Sequence, residues 1–474
     1  MRRIWAAVLT GAALMLAGAG CNFQTYKAVP LAPQAVAARF RRRSLTSSGL
    51  RAYLRRAEGH PFKVWPLRRW TPRLLTLAAL YYNPQLKAAR AGIGVARAGL
   101  ITARERPNPV LSAGAGYATF PHSPWALHLG ELIPWELAGQ RTARERIARR
   151  QIRAARLAAA GAAWRVRSQL RMALLRDFAA RRQARLLVLQ SRQQARRTLL
   201  LRQRWQAGEI ARPAYLASQR SLLRERLALE QARSQVRQAR IALAAAIGIP
   251  AHALRGQSFA WPGLRHPLNP KFLPRARLRR WAEFNRLDLR LALENYRVAE
   301  ARLRSQIALQ YPAFSLGPQY SYGESQSVIQ LALSLVLPIL NHNQGPVAQA
   351  LARRNQLAAA FAALQARDRV AAVAAREQYA SAWSIWRTTR AAARLAVRQR
   401  RAAGQIWRHG QTGRLRYNQA QLAADLGAQA QWQALMRAQS ALGALENAVQ
   451  RPLHAGRVPG AARENRQVNN ATQK

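Results

Sequence analysis

Very little in this 474-residue sequence can form a cross-link, because it holds a single cysteine, Cys21. A lone cysteine excludes an internal disulfide framework and a cysteine-clustered metal site. Acidic residues are scarce too, 19 Asp and Glu against 77 Lys and Arg, for a formal charge of +58. Lysine occurs only at positions 27, 63, 87, 271 and 474, so arginine supplies nearly all of that charge. The eight histidines are scattered with no pair at i, i+4, and only Met172 and Met436 follow the N-terminal segment. Imidazole or thioether metal ligation therefore has no framework, no catalytic constellation stands out, and no cofactor is expected. Long apolar runs are missing as well. Nothing after Cys21 reaches the roughly 18 consecutive apolar residues of a spanning helix, so a membrane could be crossed only as a closed barrel.

The N-terminus carries an address. Arg2 and Arg3 precede an apolar stretch from Ile4 to Ala17, which Gly18-Ala19-Gly20-Cys21 closes with small residues. Such a segment reads as a secretory signal over residues 1–20. Small residues before Cys21 resemble the bacterial lipobox, with Gly18 where leucine is usual, so Cys21 is the candidate lipidation site. Asn22 stands where aspartate would signal inner-membrane retention, which favours the outer membrane.

What fills the chain is a duplication. Leu86, Val95, Ala96, Ala98, Pro109, Gly114 and Tyr117 return at one fixed offset as Leu289, Val298, Ala299, Ala301, Pro312, Gly317 and Tyr320. Pro134 and Gln140 return as Pro338 and Gln344; Gly208, Arg212, Tyr215 and Pro250 return as Gly410, Arg414, Tyr417 and Pro452. A repeat of this kind defines the architectural unit.

Each copy is expected to begin with a helix and continue into two strands, at about 110–133 and 313–337. Trp125, Leu127 and Leu129 alternate with Ala126, His128 and Gly130 until Glu131 breaks the pattern. Phe314, Leu316, Tyr320 and Tyr322 alternate with Ser315, Gly317, Gln319 and Ser321; Ile329, Leu331, Leu333, Leu335 and Leu337 alternate with Gln330, Ala332 and Ser334. That is the pattern of a barrel strand, apolar toward lipid and small or polar toward a lumen.

No proline lies between Pro134 and Pro213 or from Val347 to Arg451. Ala, Arg, Leu and Gln predominate there and favour helix. One helix filling most of the first stretch would be roughly 100 Å long at about 1.5 Å per residue. Leu170, Leu174 and Phe178, and Leu157 with Trp164, give it a packing seam. Trp383, Trp386 and Trp407 are read as helix-packing residues. Gly208 and Gly410 mark far-end turns, at 208–215 and 410–417, where a glycine cap lets the chain return as a second helix.

A lipobox followed by two copies of helix, β-hairpin, very long helix, glycine turn and return helix resembles the TolC family of outer-membrane factors, and its NodT-like and CusC-like lipoprotein branch. The resemblance spans about residues 71–452. It implies a mostly α fold with a small membrane β-barrel, in which three copies of the chain share one twelve-stranded barrel above a coiled-coil tunnel. The organisation expected is signal peptide 1–20, lipidated extended leader 21–70, first repeat 71–250, connector 251–274, second repeat 275–452 and disordered tail 453–474. The partners implied are outer-membrane lipid, a periplasmic adaptor and an inner-membrane pump, in a channel that passively conducts the pump's substrates. Carried over by position, Gly208, Tyr215, Gly410 and Tyr417 would meet the adaptor. The family often has acidic residues after the second turn, ringing the aperture; here Arg414, Arg416 and Gln419 stand there, which predicts an anion-preferring constriction.

Two other readings remain. A type I secretion duct would share the fold. A basic coiled-coil protein binding nucleic acid or scaffolding partners would suit the charge, but the arginines spread along the helices and the export signal argues against a nucleic-acid partner.

Overall fold

The computed structural model describes residues 25–117, 125–324 and 326–453. The signal segment, Cys21 and the tail from residue 454 lie outside the described residues. Residues up to Arg42 form a unit of their own, whose described helix is α1 (Pro33–Arg41). Everything below concerns the second unit, from Arg43 onward.

The leader departs from the extended path expected for it. Residues Ser48–Glu58 form α2, capped by Ser47, whose hydroxyl accepts from the Leu50 amide, and ended by Gly59 in the left-handed region. Leu50 and Leu54, four apart, face inward beside Leu45, and all three are fully buried. Their one-turn spacing gives α2 an apolar face, which packs against Leu75, Ala78 and Ala79 of the next helix. The leader is further tied down by a short parallel pair, β1 (Arg69–Trp70) with β4 (Ser258–Phe259), so the connector is not wholly irregular.

In chain order there follow α3 (Pro72–Tyr82), α4 (Pro84–Arg104), β2 (Val110–Tyr117), β3 (Trp125–Trp135), α5 (Gln140–Gln206) and α6 (Arg212–Ile247). After β4 come α7 (Arg275–Phe284), α8 (Leu287–Ala308), β5 (Phe314–Gly323), β6 (Gln326–Leu335), α9 (Gln344–Arg408) and α10 (Arg414–Val449). The second set repeats the first, helix for helix and strand for strand. Helices α3 and α4 start as their sequences dictate: Thr71 and Asn83 cap them with side-chain oxygens, and each has proline in its first turn.

Helix α5 has 67 residues and α9 has 65; at about 1.5 Å per residue each is close to 100 Å long. Each pairs with its return helix, α5 with α6 and α9 with α10. Leu157, Leu170 and Leu174 of the expected seam are buried, while Trp164 lies under the Arg167 guanidinium. The main core gathers Leu50, Leu75, Val166, Leu170, Leu243 and Ile247 from α2, α3, α5 and α6. A second cluster holds Leu278, Tyr379 and Leu445, and a third centres on Trp386 and Leu435.

Scarce carboxylates are buried among arginines, and one of them joins the two repeats. Glu446 of α10, 1% exposed, receives Arg167 and Arg171 of α5 at 3.2 and 3.3 Å. Asp177 of α5 is held by Arg181 at 3.1 Å. Among the described residues no helix is long and apolar enough to cross a membrane.

Candidate functional site: the sheet and the helical turns

Strands β2, β3, β5 and β6 form one antiparallel sheet in that order, so each hairpin pairs its own strands and β3 joins β5 across the repeat. The register puts Leu111, Ala113, Ala115 and Tyr117 on one face with Trp125, Leu127, Leu129 and Ile133, and with Phe314, Leu316 and Tyr320. Ile329, Leu331 and Leu333 of β6 complete that face and are 81%, 70% and 64% exposed. The other face carries Ser112, Gly114, His128, Gly130, Ser315, Gln319 and Gln330. There the Gln319 amide meets His128 Nδ1 at 2.8 Å, and Ser112 lies 3.3 Å from its Nε2. An apolar face opposite a polar, small-residue face is the signature of a wall between lipid and water.

Aromatic rings mark both ends of the apolar face. Tyr117 and Trp125 meet edge-on at 5.3 Å at one end, and Trp135 stacks on Phe314 at 6.4 Å at the other. Ten residues of β3 separate the two tryptophans. That is about 33 Å along a strand, or roughly 25 Å of membrane thickness at a barrel's tilt, the height of an outer-membrane apolar band. Glu131 did not end β3 as its charge suggested; the strand continues to Trp135 because Ile133, Pro134 and Trp135 still pair with β5. The β3–β5 ladder has no pair where Glu131 and Leu132 pass Gly317 and Pro318. Pro318 has no amide hydrogen to give, and a Cβ on Gly317 would collide with the Glu131 carbonyl. Strands β2 and β6 each have one neighbour among the described residues, which leaves two open edges.

At the far ends of the long helices the duplication is geometric. Gly208 (φ 75°) and Gly410 (φ 72°) adopt the left-handed conformation that ends a helix without a Cβ penalty. The Gly208 amide donates to Trp205 O at 3.0 Å and Glu209 to Arg204 O at 2.9 Å; Gly410 donates to Trp407 O at 3.0 Å and Gln411 to Ile406 O at 3.1 Å. Both are Schellman caps. Tyr215 then stacks on Trp205 at 5.2 Å, and Tyr417 on Trp407 at 5.3 Å, with ring planes 5° and 9° from parallel. Trp407 is thus part of the turn rather than of the helix core. The pairing of Trp205 with Tyr215 escapes a sequence reading, though Trp at three residues before each turn glycine was its signal. Arg414, Arg416 and Gln419 sit exposed on the first turns of α10, and no structural feature brings them into a cluster within one chain. Asp425, one to two turns further on, is half-buried; burial pushes its carboxyl up against the pull of Arg400. Among the described residues no group of three His, Cys, Asp or Glu could hold a metal ion.

Residues 75–249, the first repeat nearly entire, match the family described as outer membrane efflux protein. Over those residues the chain is similar to this outer-membrane efflux family. Its fold is that of solved relatives at low sequence identity. A membrane protein from Pseudomonas aeruginosa superimposes with TM-score 0.65 at 21% identity, covering 81% of this chain and 91% of that one. The outer-membrane channel OprN gives 0.63 at 16%, over 91% and 98% of the two chains. The Neisseria gonorrhoeae MtrE outer membrane channel, solved in its open state, gives 0.61 at 17%, over 80% and 89%. No curated protein matches the chain by sequence. These relatives share the TolC-like arrangement of a small sheet on long helices, so the expected fold class stands.

Proposed function

We propose that this chain is one subunit of a trimeric outer-membrane channel, the exit duct of a tripartite efflux pump of resistance-nodulation-division type. The observation that carries the reading is the sheet. It has an apolar face bounded by aromatic pairs about 25 Å apart, and two open edges that four strands cannot close on themselves. An exposed apolar edge such as β6 invites a further strand. Three copies set edge to edge would join β6 of each to β2 of the next and close a twelve-stranded barrel. The long helices would then continue the lumen into the periplasm as a tunnel, with the turns at Gly208–Tyr215 and Gly410–Tyr417 offered to an adaptor. The subunit supplies a gated aqueous path and no energy of its own.

Within this reading Cys21 carries a lipid anchor, as in the lipoprotein branch the N-terminus resembles. Arg414 and Arg416, in three copies, make the far aperture positive, with Gln419 beside them in place of acidic residues, so small anions pass more readily than cations.

The test is reconstitution. Detergent-extracted material should have the mass of a trimer and produce discrete conductance steps in planar bilayers. A monomer that stays in solution without detergent and gives no conductance would end the proposal. Mass determination of the N-terminal peptide decides lipidation separately, and cation preference unchanged by Arg416→Ala would end the aperture assignment.

A further inference from the structure

Arginine runs through almost the whole chain but is missing from the sheet. The four strands, residues 110–117, 125–135, 314–323 and 326–335, hold none of the 77 lysines and arginines. Apart from tyrosines, their only ionisable side chains are His128 and Glu131, both on β3. The register sets these two on opposite faces. Glu131 stands opposite Leu111 in the apolar row, and His128 stands opposite Gly114 and Ser321 in the polar row. Tyr117, Tyr320 and Tyr322 belong to the apolar row as well. Glu324 lies in the turn between β5 and β6, beyond the paired strand residues, and His122, between β2 and β3, lies outside the described residues. Among the described strand residues, His128 is therefore the one side chain of the polar face whose charge can change near neutral pH.

The imidazole has a built seat. Ser112, Gly130 and Gln319 stand in one row across β2, β3 and β5, and His128 is two residues from Gly130 on the same face. Gly130 makes the room: a Cβ there would sit 3.0 Å from Ser112 Oγ and 3.6 Å from His128 Cε1. Over this glycine the ring places Nδ1 2.8 Å from Gln319 Nε2 and Nε2 3.3 Å from Ser112 Oγ. An amide N–H only donates, so Nδ1 accepts, and the proton of the neutral ring sits on Nε2, directed at Ser112. Ser112 Oγ in turn donates to the Gly130 carbonyl at 3.2 Å. A second proton, on Nδ1, needs an acceptor in place of the amide N–H, and a half-turn of the Gln319 amide brings its Oε1 there. Both charge states of the ring thus keep their partners through one side-chain rotation, and no carboxylate on the polar face neutralises the cation.

We infer that His128 is a specificity-determining residue of the conduit, one that sets the fixed charge of the barrel wall. With neutral imidazoles the polar face is uncharged; with protonated imidazoles it is cationic, so acid favours the passage of small anionic solutes over cationic ones. The inference rests on the channel reading, which places three copies of the polar face around one lumen. A ring of charge on an otherwise uncharged wall acts on ions within a Debye length, about 10 Å at 0.1 M salt and 30 Å at 0.01 M. Arg414 and Arg416 at the far turns differ in kind, because a guanidinium keeps its charge throughout this pH range.

The experiment is the reversal potential of the full chain reconstituted in planar bilayers, with potassium chloride at about 0.01 M on one side and about 0.1 M on the other. Between about pH 8 and pH 5.5, where an imidazole gains its proton, the chloride-to-potassium permeability ratio should rise about two- to threefold. His128→Gln should remove that rise. His128→Lys should hold the ratio at its high value at both pH values, and its conductance shows independently that the site accepts replacement. His122→Gln and His409→Gln should keep the rise, while Arg416→Ala should lower the ratio by the same factor at both pH values. Raising both salt concentrations tenfold should weaken the rise, because the Debye length falls to about 3 Å at 1 M. A rise that survives in His128→Gln, or one that is lost in His122→Gln or His409→Gln, overturns the inference. Conductance with a ratio independent of pH in the native chain also overturns it and leaves the channel standing, whereas a native chain that forms no pore overturns both.

Discussion

Trp407 lies flat on Tyr417 across a helical turn, ring centroids 5.3 Å apart, and the pair occupies the same place in its repeat as Trp205 on Tyr215. Both rings of each pair come from opposite arms of a hairpin, so the stack closes the turn as a clip. Gly404 lets Tyr417 come close: a Cβ there would sit 3.1 Å from the tyrosine ring.

Removing one ring should loosen the turn without unfolding the rod. An aromatic pair contributes about 0.5–1.5 kcal/mol beyond its buried area. Trp407→Ala should therefore raise amide exchange around residues 404–420 by roughly three- to tenfold, following that energy, while the thermal midpoint of the whole protein stays put. Unchanged exchange in the turn, or a lowered global midpoint, would show that the ring acts elsewhere.

Gly317→Ala should damage the sheet. Its Cβ would meet the backbone carbonyl of Glu131, which cannot swing aside as a side-chain end would. Gly323, with open space around it, is the matched control. The expected outcome is a smaller fraction of trimer extracted from membranes for Gly317→Ala and an unchanged fraction for Gly323→Ala. Equal yields would place the close approach within the slack of the strands.

How much of this was readable in the sequence follows from how local each signal is. The turns are legible because a glycine in the left-handed region and a tyrosine seven residues on recur together at Gly208 and Gly410. The β6 alternation from Ile329 to Leu335 is legible because every second residue is apolar. Helix α2 is not, because its two inward leucines are a single one-turn pair, separated by Arg51, Ala52 and Tyr53 and flanked by Gly49 and Gly59, and the packing of α3 against them decides it. Nor is the end of β3: Glu131 interrupts the pattern, but strand length is set by the partner β5. Contacts between arms, such as Trp205 with Tyr215, require knowing which helix faces which.

Arg286 makes a sharper test of how the second repeat is held together. It is 8% exposed, and its guanidinium meets Asp368 at 2.9 Å, Asp288 at 2.5 Å and the Ala448 carbonyl at 2.6 Å. One cation thus ties α8 to α9 and α10. Arg286→Met leaves the buried Asp368 carboxylate with only Arg367 at 3.5 Å and should destabilise by about 3 kcal/mol. Adding Asp368→Leu removes the stranded charge and should restore much of that loss, as apolar replacement of a buried pair often does. Denaturant midpoints of the two variants would decide; if the double variant is no better than the single, the damage comes from packing or from the lost Ala448 contact.

The same scarcity of carboxylates bears on acid. Burial pushes the Asp177 carboxyl above its ordinary value, against the pull of Arg181 and Arg240, and burial does the same to Asp368 against Arg286. Such a group holds its proton more tightly folded than unfolded. Its contribution to stability is full below the ordinary Asp range and is lost as pH rises through the raised value. Other carboxyls have the opposite sign. A hydrogen bond from Arg149 lowers Glu145, one from Arg376 lowers Glu377, and at Asp288 burial is outweighed by the bond and charge of Arg286. These favour the fold at neutral pH and lose that effect as pH falls through their depressed values. With few acids and both signs present, the melting temperature should change little between about pH 7 and pH 4, where exposed model carboxyls begin to titrate. Asp177→Asn isolates one sign, because asparagine does not titrate. Relative to the native chain, that variant should melt more favourably at pH 7 than at pH 4. The reverse trend would mean that Asp177 serves the fold chiefly as a charged partner of Arg181 and Arg240.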